Sequence, residues 1–206
     1  MSDGSGERVF VFPMSFAQQR LWLLDQLEEG NPAYNLAAAM ELEGPLDEVA
    51  LESSLREIVR RHETLRTTFG MEKGAPVQII AEEGALSLER HDLTGLSGAE
   101  RQAELARRIR EETLRPFDLV RGPLLRTALL RQGADLSTLL IVIHHIISDG
   151  WSTGVFSAEL GTLYDAYSQG RPSPLPELEI QYADYACWQR EWMEGEGRVR
   201  QLEYWK

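Results

Sequence analysis

Cysteine is almost missing from this chain. Cys187 stands alone, so no disulfide can close within it, and a reducing, cytoplasmic setting is expected. Long apolar runs are missing too. None approaches the ~20 residues that a membrane-spanning helix needs. The first eight residues are polar and acidic, and the apolar piece at 9–12 is too short for a secretory leader. Positive charge is scarce: 21 Lys and Arg stand against 33 Asp and Glu, a net charge of -12. That balance argues against sequence-independent binding to nucleic acid and against an anionic membrane surface. No internal repeat is visible. What remains is 206 residues, 43% hydrophobic and 26% charged, a globular balance with room for one sizeable core or two small ones.

The most apolar run, Leu139-Leu140-Ile141-Val142-Ile143, is short and rich in β-branched residues, which predicts a buried strand. It runs into His144 and His145, then a polar turn at Ser148-Asp149-Gly150, then a helical pattern. Side chains alternate faces along a strand. The two imidazoles are therefore expected to point opposite ways, one into the core and one toward a cavity. This argues against one metal held by both, and no Cys or third His stands nearby to complete a ligand set. Two readings stand: a pair of hydrogen-bonded structural histidines, or one structural and one catalytic imidazole.

In chain order, residues 1–8 read as an arm or linker end, and Pro13 closes a short apolar piece. Ser15 can cap a helix reaching Leu27, with Ala17, Leu21 and Leu24 on its core face. A strand over 34–42, a turn at Gly44-Pro45 and a helix capped by Asp47 follow. Leu51, Leu55, Ile58 and Val59 give that helix an apolar stripe, and it ends near His62. Short strands are expected at 65–71, 76–81 and 86–91, a charged, solvated helix at 99–114, and a hairpin of strands 124–131 and 136–144. After Gly150 a helix carries Phe156, Leu160, Leu163, Tyr164 and Tyr167 as a core stripe. A last helix spans 181–192 and resumes near Val199. Cys187 reads as a small core residue rather than a nucleophile, and His91 carries no signal.

Four segments together resemble the condensation domains of nonribosomal peptide synthetases. Ser15-Phe16-Ala17-Gln18-Gln19-Arg20-Leu21-Trp22 matches the first motif of that family, and Arg61-His62-Glu63-Thr64-Leu65-Arg66-Thr67-Thr68-Phe69 the second. His144-His145-Ile146-Ile147-Ser148-Asp149-Gly150 is the third, with Ile143 where a Met usually leads it, and Tyr182-Ala183-Asp184-Tyr185-Ala186-Cys187-Trp188-Gln189 the fourth. The order and spacing cover nearly the whole chain. The resemblance implies an α/β fold, an α+β sandwich: a chloramphenicol-acetyltransferase-like lobe with a mixed sheet covered by helices. On that reading residues 1–12 are the arm and first short strand, 13–176 the N-terminal lobe, and 177–206 a helical connection toward a C-terminal lobe whose motifs are absent. The expectation is a fragment, prone to self-association through an uncovered lobe interface.

The resemblance also implies a chemistry. An upstream peptidyl carrier domain presents an acyl thioester, a downstream one presents an aminoacyl thioester whose amine attacks it, and a neighbouring adenylation domain loads the carriers. The substrates ride on phosphopantetheine arms; no cofactor or metal is bound by the domain itself. His145 is the implied catalytic imidazole, with His144, Asp149, Gly150 and Arg66 in support. Gly150 is expected to offer its backbone N–H or a point of close approach, and Asp149 to form a buried ion pair with Arg66, its alternative being to shape the turn alone. His62 is expected to end its helix. The sequence Trp151-Ser152-Thr153-Gly154 after the motif favours the subtype that joins two L-residues over epimerization domains. Other readings are a non-catalytic piece that keeps only carrier or partner binding, inactive on its own, and a coenzyme-A-dependent acyltransferase.

Overall fold

The computed structural model describes residues 8–28 and 30–206, with the backbone alone at 196. The expected arm therefore lies, apart from Arg8, outside the described residues. Two sheets organise the rest. The larger has the order β2-β7-β6-β5, built from β2 (Asn35–Glu43), β5 (Leu88–Asp92), β6 (Leu125–Arg131) and β7 (Leu136–His144). Its β6–β7 pair is antiparallel, as a hairpin requires, whereas β5 joins β6 in parallel, so the sheet is mixed. The smaller sheet, order β1-β4-β3, is antiparallel throughout and joins β1 (Val9–Pro13), β3 (Thr67–Glu72) and β4 (Ala75–Ala81).

Strand composition follows position. β7 is an interior strand, and its residues from Ser137 to His144 are all buried. That two-sided burial is why it reads as an unbroken apolar run rather than an alternation. β2, at the edge, keeps helix-prone Ala37-Ala38-Ala39 at its centre and is a strand because its whole length pairs with β7. Tertiary pairing outweighs propensity there. The strand expected from residue 65 starts at Thr67 instead, after a 3-10 turn over Glu63–Arg66.

Helix α2 (Glu48–Arg61) buries Leu51, Leu55, Ile58 and Val59, as its stripe predicts, and packs against α4 (Gly150–Ser168). Phe156, Leu160 and Leu163 of α4 are buried in the same core, with Tyr164 and Tyr167 packed at its margin. α3 (Gly98–Leu114) buries no residue fully and carries the ion pairs Arg108–Glu104 and Arg107–Glu111 on its surface. α1 (Phe16–Leu27) departs from expectation. It buries Leu21 and Gln18, while Ala17, on a cavity wall, and Leu24 stay exposed. α5 (Tyr182–Glu194) and α6 (Glu196–Tyr204) complete the chain. Cys187, on α5, is half-buried rather than in the core; burial raises its thiol above the usual range, which favours the protonated form. Among the described residues no helix is long and apolar enough to cross a membrane.

The segment from β1 to the start of α1 meets α5. α5 packs on β1, and the Arg190 guanidinium donates to the Met14 carbonyl at 2.7 and 2.8 Å. The Phe16 N–H donates to Gln189 Oε1 at 3.0 Å, and the Ser15 and Tyr182 hydroxyls bond at 3.0 Å.

Candidate active site

The histidines sit where β7 ends, held on both sides by backbone. The His144 N–H donates to the Leu124 carbonyl at 3.0 Å, and the His145 N–H to the Tyr34 carbonyl at 2.8 Å. The side chains part as strand alternation requires. His144 is 3% exposed, its ring edge-on to Phe117 at 6.0 Å and tilted to Tyr34 at 6.3 Å. Its Nδ1 accepts the Ile146 N–H at 3.1 Å, which fixes the proton on Nε2 in the neutral ring. Burial, with His145 adding to it, pushes the His144 pKa down to about 4. His144 is thus a neutral internal peg for the loop.

His145 is exposed and faces a cavity of about 450 Å³. Its Nδ1 lies 2.7 Å from the Ser148 carbonyl oxygen. A carbonyl oxygen only accepts, so Nδ1 carries the proton and Nε2 is left as the acceptor of the neutral ring. The loop following the strand has therefore chosen the tautomer.

The loop ends in a helix cap. Asp149 Oδ1 accepts the Ser152 N–H at 2.8 Å and the Ser152 hydroxyl at 2.7 Å, closing the N-terminus of α4. These bonds, Ser152 foremost, hold the Asp149 carboxyl below its usual range, with His145 contributing. The ion pair expected between Asp149 and Arg66 is not made. Arg66 turns toward the smaller sheet, donating to the Ala81 carbonyl, with Glu63 3.6 Å from its guanidinium. Asp149 has its oxygen committed to a cap within its own helix, and Arg66, on the 3-10 turn before β3, is engaged by the Ala81 carbonyl and the Glu63 carboxylate. Arg66 does not line the cavity. Gly150 opens α4, and a Cβ built there meets nothing within 4 Å. No packing in the fold demands glycine at this point; only something occupying the space in front of it could.

All four sequence motifs reach the same cavity. Gln18, Arg20 and Leu21 of α1, His62 at the end of α2, the loop from His145 to Asp149, and Tyr182 of α5 share its wall, with Tyr34, Trp151 and Ile180 among the others. Ser15 caps α1 through Gln18, which reciprocates by accepting the Ser15 N–H at 2.9 Å, so the first motif is in part a capping box. Trp151, 84% exposed, stands at the cavity's edge.

A family model described as the condensation domain matches residues 10–206. The chain belongs to the condensation-domain family. Among curated relatives it is 49% identical over 196 residues to a linear gramicidin synthase of Brevibacillus parabrevis, covering 95% of this chain and 2% of that protein. It is 50% identical over 196 residues to chondramide synthase of Chondromyces crocatus, covering 95% of this chain and 5% of the synthase. Its fold is similar to the starter condensation domain of rhizomide synthetase, with a TM-score of 0.85 and 26% identity over 95% of this chain and 47% of that one. An X-domain complex with OxyB from teicoplanin biosynthesis gives a TM-score of 0.84 at 31% identity, over 97% and 44%. The chain thus spans about half the length of the solved condensation-domain structures it matches, and the acetyltransferase-like α/β fold of the family is the fold it has.

Three residues of this condensation-domain site carry no sequence signal in the motifs. Tyr34 supplies the carbonyl that holds His145 and a ring beside His144. Phe117 packs on His144 from the loop after α3. Glu159 lies behind the cavity wall and holds His62 and Arg61. Only Glu159 leaves a trace: an acid between Phe156 and Leu160, on the apolar stripe of α4. His62 caps the C-terminus of α2, as expected, but it also lines the cavity. His91 is bonded to Arg108 at 2.7 Å, well away from the cavity lining.

Proposed function

We propose that this chain is the histidine-bearing half of a domain that forms a peptide bond between a donor acyl or peptidyl thioester and an acceptor aminoacyl thioester, both presented on carrier domains. The acceptor amine attacks the thioester carbon, a C–N bond forms and the C–S bond breaks, and the proton lost by the amine ends on the departing thiol. The observation that carries the reading is the tautomer of His145, whose Nε2 lone pair is the acceptor in a cavity that all four motifs line. It takes or holds an N–H of the attacking amine. Carriage of both reactants on tethered arms makes positioning the larger contribution.

The supporting residues divide the work. Asp149 fixes the start of α4, where the Gly150 N–H and the helix dipole favour a developing oxyanion. His144 supports the loop from inside. The residues after the motif, Trp151-Ser152-Thr153-Gly154, support the subtype that joins two L-residues. Arg66 keeps a structural place beside β3 and β4.

A second reading concerns the chain on its own. Because it spans 44–47% of the solved domains it matches, carrier or partner binding without turnover is the expectation for this chain in isolation. A single-turnover assay separates the two. A donor aminoacyl carrier and an acceptor aminoacyl carrier are mixed with this chain, with a whole condensation domain beside it, and mass spectrometry follows the dipeptidyl acceptor carrier. Product that disappears with His145→Ala supports the catalytic reading; a variant that condenses at the wild-type rate overturns it. Transfer from a simple coenzyme A ester without carriers supports an acyltransferase instead.

A further inference from the structure

His62 enters the fold as the residue that ends α2, yet its ring is part of the wall of the cavity that His145 faces. Its Nε2 lies 2.9 Å from Glu159 Oε2. An ionised carboxylate only accepts, so Nε2 carries the proton, and among the described residues no hydrogen bond is made to Nδ1. The two imidazoles of the cavity are set in the same way by different means. His145 gives Nδ1–H to a carbonyl and keeps Nε2; His62 gives Nε2–H to a carboxylate and keeps Nδ1.

Structural need alone does not account for this. The Glu159 charge is already matched by Arg61, whose side chain is 2% exposed and whose Nε lies 3.2 Å from Glu159 Oε2. Arg61 also donates to the Pro176 carbonyl at 2.7 Å, and its own carbonyl accepts the Gln181 side-chain N–H at 2.8 Å. So Arg61 ties α2, α4 and the 176–181 segment together without help. Glu159 is left to aim a partly exposed imidazole that shares the cavity wall with Leu65, Leu178 and Ile180. With the Nε2 proton given to Glu159, the Nδ1 lone pair is left to accept an N–H from a group lying in the cavity.

We infer that His62, oriented by Glu159, is a positioning residue that accepts a secondary-amide N–H of the thioester-borne chain lying in the cavity, while His145 serves the reacting amine. The inference rests on the carrier-thioester reading above. The ligand class is an extended chain bearing amides, such as a pantetheine arm or the peptidyl group attached to it.

The test is binding rather than turnover. N-acetylglycyl pantetheine thioester is titrated into this chain, and the imidazole nitrogens are followed by long-range proton–nitrogen NMR. The expected result is movement of both the His145 Nε2 and His62 Nδ1 signals with one dissociation constant. His62→Leu is expected to weaken binding about tenfold, while His62→Gln, which can still accept, stays within about threefold. Glu159→Gln is expected to weaken it about threefold, because the ring is no longer held in one tautomer. The wild-type titration and His62→Gln carry the test even where His62→Leu does not fold. If His145 moves and His62 does not, or if His62→Leu binds as tightly as wild type, the inference falls and the carrier reading stands. If neither ring moves, both fall.

Discussion

The Nδ1 of His145 lies 2.7 Å from the carbonyl oxygen of Ser148, three residues further on in the same loop. This contact makes the second histidine an acceptor toward the cavity before any substrate arrives. It also makes the loop, rather than a distant acid, the group that selects the tautomer. The first histidine has the opposite task and the opposite surroundings, and the two can be separated experimentally.

His145→Ala is expected to leave the fold intact, because the ring is exposed and its main anchor is backbone. It should lower condensation by a whole domain carrying this lobe by about 10²–10⁴, the range for losing a positioned acid–base group. His144→Ala should do the reverse in stability: it removes a buried ring and orphans the Ile146 N–H, costing about 2–3 kcal/mol. Urea unfolding beside single-turnover kinetics tells the two apart.

Acid should destabilise the chain partly through His144. Its pKa in the folded protein is about 4 against an ordinary 6.5, so between those values the unfolded chain binds a proton that the folded chain refuses. Stability from this group is therefore complete above about pH 6.5 and falls as the pH drops toward 4, by about 3 kcal/mol at most. His144→Gln, which does not titrate, should flatten this part of the profile. Urea midpoints measured across the window, with an unchanged slope in the variant, would contradict the assignment.

Asp149 and Arg66 should act independently. Asp149→Ala removes the cap of α4 and is expected to cost about 1 kcal/mol, with Asp149→Asn costing less because an amide oxygen can still cap. Combined with Arg66→Ala in a double-mutant cycle, the coupling should stay below about 0.5 kcal/mol. A coupling of several kcal/mol would restore the ion pair that the fold does not show.

Gly150→Ala separates a structural glycine from a functional one. Since a Cβ there meets nothing, stability should change by no more than about 1 kcal/mol. If the space in front of Gly150 receives the substrate, condensation should fall sharply while the melting temperature holds. Unchanged activity would remove Gly150 from the reacting centre.

Much of the fold is legible in the sequence because local rules agree with the tertiary structure. Ser15 and Asp47 cap where their types predict, the stripes of α2 and α4 face one another, and β7 announces its interior place by composition. α1 misleads because Ala17 has the spacing of a core face, and spacing cannot tell a core from a cavity wall; Leu24, at the same spacing, stays exposed. The opposed histidines follow from strand alternation. The tautomer does not, since it depends on a carbonyl brought round by the turn. The Arg66–Asp149 pair, expected from the family resemblance, fails for a related reason: matching motifs do not say which partner each charge will find, here Ala81 and Glu63 for Arg66 and Ser152 for Asp149. Tyr34 and Phe117 are invisible because they act through a backbone carbonyl and a ring edge, which leave no pattern in a single sequence.

The bonds between Ser15 and Tyr182, Phe16 and Gln189, and Met14 and Arg190 have a consequence in time. During synthesis the first helix and both histidines leave the ribosome well before the segment that closes over them. At about 5–20 residues per second, the stretch between His145 and Tyr182 takes roughly 2–7 s to emerge. For that interval the nascent chain carries His145 beside an unfinished cavity wall. The wall that Tyr182 supplies is the last part of this cavity that the described residues bring to it.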